Sequence, residues 1–484
     1  EVAASMMGAV LLVSCARAAA AWAPLASVAP LHASPRRSAL SPEMVSSEVE
    51  LGSVPGTGAA SGGADQGNIG VLLLNLGGPD TLDDVEPFLY NLFSDPEIIT
   101  LPSWAGWLNG PVAKAISSSR APTSKEGYAS IGGGSPQLAT TIQQGEALEA
   151  ALAKRGVSAK HYVAMRYWHP YTEEALEQIK NDRIERLVVL PLYPQFSIST
   201  SGSSLRLLER EYYRDPELRQ VRNVVIPAWF NREGYVKSMA RLISESCDKF
   251  DDPSSPHIFF SAHGLPLKYV EDLGDPYKTQ IEQCCKFIMA RLRSLGYSNE
   301  FTLAYQSKVG PVPWLRPYTD DKIVELGAKG VNKMVVVPVS FVSEHIETLE
   351  EIDVEYKELA EANGIDQWER VPALGLEPDF IEDLASAVEE ALPRTSKPLV
   401  SDINEGRPVS LRVVNDLVQL RAKEEAIEYG PVNYQVRRVG FTPKAELING
   451  RIAMVAITVA SALSYEQGSF WTSVLDGRLP YSFW

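Results

Sequence analysis

The segment Pro170-Tyr-Thr-Glu-Glu174 leads through a helical pattern to LVVLPLY with Pro191, and Pro317-Tyr-Thr-Asp-Asp321 leads through another to MVVVPVS with Pro338. In each block the second proline falls 21 residues after the first. A shared turn, helix, strand and closing proline at one spacing marks a duplicated α/β unit, and it points to two similar lobes with a cleft between them. Strands are expected at Ile69–Leu76, Tyr162–Tyr167, Leu187–Leu192, Asn223–Ile226, His257–Ser261, Phe301–Tyr305 and Met334–Val339. Short apolar runs separated by helical patterns indicate parallel sheets covered on both faces. The expected fold class is therefore α/β.

Two strand ends carry the chemistry. Met334–Val339 empties into a helical pattern bearing His345, Glu347, Glu351 and Glu355, and the strand HIFF ends in Ser261-Ala-His263-Gly-Leu-Pro266. In open parallel sheets ligands sit outside the carboxyl ends of the strands. Carboxylates four residues apart share one face of an α-helix and repel there by about 0.2–0.5 kcal/mol per pair. A cation would relieve that repulsion; a solvated acidic face is the other explanation. His345 falls off this face and is secondary.

The chain has 484 residues, 45% of them hydrophobic, which is enough for two or three domains. Its formal charge of −16 argues against a nucleic-acid partner. With only Cys15, Cys247, Cys284 and Cys285, and no C-x-x-C pair, the ligands for a disulfide framework, a cysteine zinc site or an iron–sulfur cluster are missing. No Gly-x-Gly-x-x-Gly stands at a strand-to-helix turn and no Walker loop occurs. The run Ile131-Gly-Gly-Gly-Ser-Pro136 reads as a sharp turn or a close backbone approach to a ligand.

Six stretches, in this order, resemble the ferrochelatase family: LNLGGPDTLDDVEPFLYNLF (Leu74–Phe93), YASIGGGSP (Tyr128–Pro136), MRYWHPYTEEAL (Met165–Leu176), FFSAHGLP (Phe259–Pro266), YQSKVGPVPWLRP (Tyr305–Pro317) and SFVSEHIETLEEIDVEY (Ser340–Tyr356). The resemblance implies two Rossmann-like lobes of the class II chelatase kind, each a four-stranded parallel sheet, enclosing a porphyrin cleft. It also implies insertion of Fe²⁺ into protoporphyrin IX to give protoheme, the last step of heme synthesis. The chemistry needs a base for two pyrrole protons, and imidazole titrates near neutrality. By resemblance His263 is the base and metal-site residue and Glu347 its carboxylate partner, while Glu351 and Glu355 offer a path for iron inward or protons outward.

The same resemblance assigns Arg120, Tyr128 and Ser135 to the porphyrin, with Arg120 facing a propionate. Arg166, Tyr167, Gln306, Ser307, Lys308 and Trp314 would line the cleft, although each could instead be an ordinary contact between lobes. Leu76, Phe88, Leu89, Leu92 and Phe93 would form an apolar lip, or simply helix core. Animal members carry a cysteine-ligated [2Fe–2S] cluster near the C-terminus; this chain has no cysteine after Cys285, so no cluster and no resident cofactor is expected in its core. A cobalt or nickel chelatase for a sirohydrochlorin-type ring and a silent tetrapyrrole carrier are the competing functions.

The expected organisation is a targeting presequence (1–66), lobe 1 (67–225), lobe 2 (226–393), a linker (394–437), a hydrophobic helix (438–465) and a tail (466–484). Residues 2–42 lack acidic side chains and hold Arg17, Arg36 and Arg37 among Ala, Ser and Pro. This is organelle-targeting composition. Met6–Val13 followed by AAAAWAP (Ala18–Pro24) resembles the two-part presequence of a complex plastid. Near the other end, Phe441–Met454 resembles the chlorophyll-binding helix of light-harvesting proteins, which implies a pigment site at Glu446, Asn449 and Arg451, with Glu446 and Asn449 offering oxygen ligands to magnesium and Arg451 pairing with the glutamate of a facing helix; chlorophyll, a carotenoid or only another helix are the alternative occupants. Ala445–Leu463 has about the length that spans a bilayer, against the alternative of a soluble amphipathic helix. A buried glutamate there needs a partner, so a homodimer or a second one-helix protein is expected at a thylakoid or inner envelope membrane.

Overall fold

A computed structural model describes residues 68–395 apart from positions 97, 100, 102 and 311. The presequence, the linker beyond Thr395, the C-terminal helix with Glu446, Asn449 and Arg451, and the tail lie outside the described residues.

The strands are β1 (Ile69–Asn75), β2 (Ala159–Met165), β3 (Arg186–Pro191), β4 (Arg222–Val225), β5 (His257–His263), β6 (Phe301–Gln306), β7 (Lys333–Pro338) and β8 (Gln367–Arg370). They form two four-stranded sheets with the orders β2-β1-β3-β4 and β6-β5-β7-β8, parallel throughout. The two orders are the same topology, as the duplicated sequence blocks predict. The equivalence extends to backbone detail. Met165 N–H donates to Pro170 O at 2.7 Å and Tyr305 N–H to Pro317 O at 2.9 Å, each locking the end of a strand to the turn that starts the next helix.

The central strands are the ones that the apolar runs announce. Leu72, Leu74, Val188, Val189, Ile258, Phe259, Val335 and Val337 have no more than 1% exposure, because helices cover both faces of each sheet. β8 has no such signal. Its sequence QWER is mostly polar and no residue of it is fully buried, so the strand is held by its edge pairing with β7, by Trp368 packed against the core and by the ion pairs of Arg370 with Glu344 and Asp353. β2 also begins earlier than expected, at Ala159, where its first residues are partly exposed.

The expected boundary at 225/226 falls between the sheets, but the core does not divide there. Leu73, Leu148 and Leu152 join Phe260, Val337, Phe380 and Leu384 in one apolar cluster, with Trp229 between them. The Trp229 indole N–H donates to Pro191 O at 2.9 Å, and its ring lies 5.4 Å from Tyr235 and 5.5 Å from Phe380. Among the described residues the last α-helix, Pro378–Ala391, packs against both Gln137–Lys154 and Glu233–Cys247, so this segment returns to the first lobe. Among the described residues no helix is long and apolar enough to cross a membrane.

Candidate active site

His263 ends β5 and is the register partner of Gln306, which ends the neighbouring β6. Both side chains therefore stand at the carboxyl edge of the second sheet. After β7 the chain turns and enters Glu347–Tyr356, which is a π-helix rather than the expected α-helix. Its wider turn, with i→i+5 hydrogen bonds, brings residues five apart into line. Tyr356 thus donates its hydroxyl to Glu351 Oε1 at 2.8 Å.

Glu347 and Glu351 of this helix meet the strand ends. His263 Nδ1 lies 2.8 Å from Glu347 Oε2. Gln306 Nε2 donates toward Glu347 Oε2 at 3.1 Å and Glu351 Oε2 at 3.3 Å. Ser307 Oγ stands 3.2 Å from Glu347 Oε2 and 3.0 Å from Glu351 Oε2, but one hydroxyl proton serves only one of them at a time. Ser307 holds a left-handed backbone, with φ of 59°. That conformation is uncommon for a side-chain-bearing residue, and it turns the hydroxyl onto the two carboxylates. Glu355, the third carboxylate of the expected face, is exposed and outside this network.

Charge is distributed unevenly over the cluster. Burial opposes the imidazolium of His263, but the Glu347 carboxylate outweighs it and raises the pKa above the ordinary 6.5. Burial also opposes ionisation of Glu347, and there His263 wins, holding the carboxyl well below its usual range. Glu351 is left with burial and the Glu347 charge, which push it up to about 7. Near neutrality the cluster thus holds one firm anion, a basic imidazole and a carboxyl that gains and loses its proton readily.

His345 sits just before the helix, buried against the Phe341 ring at 4.2 Å. Its Nδ1 accepts the Glu347 N–H at 3.1 Å, and burial lowers its pKa, so it acts as a neutral cap. Tyr128 is buried on the helix Asn109–Ser130; burial raises its phenol pKa, and the Glu347 charge raises it further. The glycine run lets this helix turn back sharply. Gly132 and Gly133 have φ of 108° and 95°, and a Cβ on Gly134 would fall 2.2 Å from the Asp80 carbonyl oxygen. Ser135 N–H then donates to Pro79 O at 2.8 Å.

Arg120 is exposed and, among the described residues, makes no ion pair, leaving its guanidinium open to an anion. Lys308 is exposed as well, with its ammonium 4.2 Å from the Tyr318 ring centroid. Trp314 is half-buried beside Gly264, and its indole N–H donates to Val309 O at 2.8 Å. Leu76, Leu92 and Phe93 are half-buried at the edge of a cluster whose interior includes Phe88 and Leu89, so helix core accounts for the last two.

Arg166 and Tyr167 both meet a buried carboxylate. Arg166 Nη2 lies 2.6 Å from Asp95 Oδ2 and the Tyr167 hydroxyl donates to the same oxygen at 2.8 Å, with Ser203 Oγ at 3.0 Å. Asp95 is only 3% exposed in its side chain, so its charge depends on these partners. Asp95→Ala is expected to lower unfolding stability by about 3 kcal/mol, since an arginine that keeps some solvent contact loses its buried partner. Chemical denaturation of the variant measures it. Sequence reasoning missed Asp95, because nothing local links it to Arg166, and Tyr356, because the i+5 spacing matters only in a π-helix.

The edge of the second sheet thus gathers one imidazole and two carboxylates, an arrangement compatible with a metal chelatase, an enzyme that takes protons from a ring while supplying a cation. A family model described as Ferrochelatase matches residues 68–392. The chain is 58% identical over 401 residues to "Ferrochelatase-2, chloroplastic" of Oryza sativa subsp. indica, covering 83% of this chain and 76% of the relative. It is 56% identical over 405 residues to "Ferrochelatase-2, chloroplastic" of Arabidopsis thaliana, covering 84% and 79%. It is 53% identical over 389 residues to "Ferrochelatase" of Synechococcus elongatus, covering 80% and 94%. The chain belongs to the ferrochelatase family and is a lyase that inserts Fe²⁺ into protoporphyrin IX, yielding protoheme and two protons.

Proposed function

We propose that His263 is the base of this reaction and that Glu347 tunes and orients it; the 2.8 Å contact between His263 Nδ1 and Glu347 Oε2 carries the assignment. With Nδ1 engaged, Nε2 has no hydrogen-bond partner among the described residues and is the nitrogen left to take a pyrrole proton. The imidazolium formed is stabilised by Glu347. The proton passes on through the carboxylates that share Gln306 and Ser307, and the second pyrrole proton follows once His263 is neutral again. Arg120 anchors a propionate, Tyr128, Ser135 and Trp314 hold the ring, and Leu76 and Leu92 form the apolar lip.

Glu351 serves iron delivery or proton exit, whereas Glu355 lies outside that path. Glu351→Gln is expected to raise the KM for Fe²⁺ about 10-fold, on the scale of losing a group that supports a metal site. Glu355→Gln leaves it unchanged within error. An unaltered KM in the Glu351 variant removes Glu351 from the path.

The plastid is the compartment supported by the chloroplastic relatives and by the presequence composition. Similarity to the rice relative runs over 401 residues and so extends beyond 68–392. The segment 438–465 is proposed as a membrane helix in which Glu446, Asn449 and Arg451 meet chlorophyll or a carotenoid and a second helix, from another copy or a one-helix protein. Sequence pattern alone supports that anchor.

A further inference from the structure

β5 is paired with β6 as far as His263, but with β7 only as far as Ser261, opposite Pro338. On its β7 side the peptide of His263 is therefore past the ladder. A closed ring of hydrogen bonds takes its place. The His263 N–H donates to Ser340 Oγ at 3.1 Å, Ser340 Oγ lies 2.8 Å from the Tyr277 hydroxyl oxygen, and that hydroxyl donates to the His263 carbonyl at 2.9 Å. Proton counting fixes the direction. Tyr277 has one proton and gives it to the carbonyl, so the Ser340 proton goes to Tyr277 and a Ser340 lone pair receives the His263 N–H. Tyr277 is 7% exposed and Ser340 8%, so water does not readily replace a missing member.

The ring is fastened at its far side. Tyr277 N–H donates to Asp275 Oδ1 at 2.9 Å, while Asp275 Oδ2 accepts Ser197 Oγ–H at 2.9 Å and Ile198 N–H at 2.7 Å from the loop after β3. The backbone of His263 is thus referenced to a loop of the first sheet as well as to its own.

We propose that Tyr277 and Ser340 are positioning residues for iron insertion, locking the His263 peptide so that the imidazole meets the tetrapyrrole at a fixed place. The proposal rests on the base role of His263. Its test uses the full-length chain with Tyr277→Phe, Ser340→Ala, their double variant, Ser340→Thr and, in parallel, His263→Ala. Each of the first two is expected to lower kcat about 10-fold through misplacement of the base, with the KM for protoporphyrin IX held within about 2-fold. Ser340→Thr, which keeps the hydroxyl, restores most of the rate. Each single variant keeps one anchor, the Tyr277 bond to the carbonyl or the Ser340 bond to the N–H, and the double variant loses both, so it is slower than the worse single one.

Rates unchanged in both single variants while His263→Ala is inactive overturn the proposal and leave the base role standing. A double variant that is faster than the worse single one also overturns it. Wild-type kcat in His263→Ala removes the base role itself. Should Tyr277→Phe fail to fold, the contrast between Ser340→Ala and Ser340→Thr decides alone.

Discussion

His263→Ala is expected to lower the rate of iron insertion by about 10²–10⁴-fold, the usual worth of a positioned acid–base group. The measurement is anaerobic insertion of Fe²⁺ into protoporphyrin IX by the full-length chain. The fold should survive, because His263 is the last residue of β5 and its side chain is 38% exposed. Its neighbours also remain supplied. Without the imidazole, Glu347 keeps donors from Gln306 and Ser307. Porphyrin binding, followed by fluorescence quenching, should change little, since the residues proposed for the ring lie on other elements. A variant that keeps a tenth or more of the wild-type rate would show that His263 is not the base. A variant that loses porphyrin binding along with rate would make His263 a binding residue instead.

Much of this site was readable from local pattern. β1, β3, β5 and β7 are apolar runs buried on both faces, and burial is what an uninterrupted apolar run reports. β8 was invisible because an edge strand gains its place from pairing, which leaves little trace in QWER. The strand-end rule brought His263 and Glu347 to one place although they are 84 residues apart. Helical periodicity then erred. A face drawn at four-residue steps joined Glu355 to Glu347 and Glu351, whereas the π-helix puts Tyr356 on Glu351 and leaves Glu355 in solvent. Arg166 could not be placed either. Its partner Asp95 lies 71 residues away, and an arginine at a strand end looks the same in sequence whether it faces a substrate or a buried carboxylate.

Glu347→Gln is expected to move the acid limb of the pH–rate profile to lower pH and to reduce kcat at pH 8 by about 10-fold, the lower part of the range for acid–base contributions. Two opposing effects set the sign. Burial lowers the His263 pKa and Glu347 raises it, with the net result above 6.5. Removing the charge leaves burial in command, so the imidazole becomes neutral at lower pH yet is a weaker base once neutral. Stability follows by linkage. A histidine with a raised folded pKa contributes stability below its unfolded value, lost as pH rises through the folded one; a glutamate with a depressed folded pKa contributes above its unfolded value, lost as pH falls through the folded one. Both contributions are present together between about pH 4.5 and 6.5, the unfolded values of the two groups. Wild type should therefore exceed Glu347→Gln in stability most at pH 5–6 and less at pH 8. Denaturant titrations at those pH values, run beside the rate profiles, measure both effects on the same variant. An acid limb that stays in place, or a stability difference that grows toward pH 8, would mean that Glu347 does not set the charge of His263.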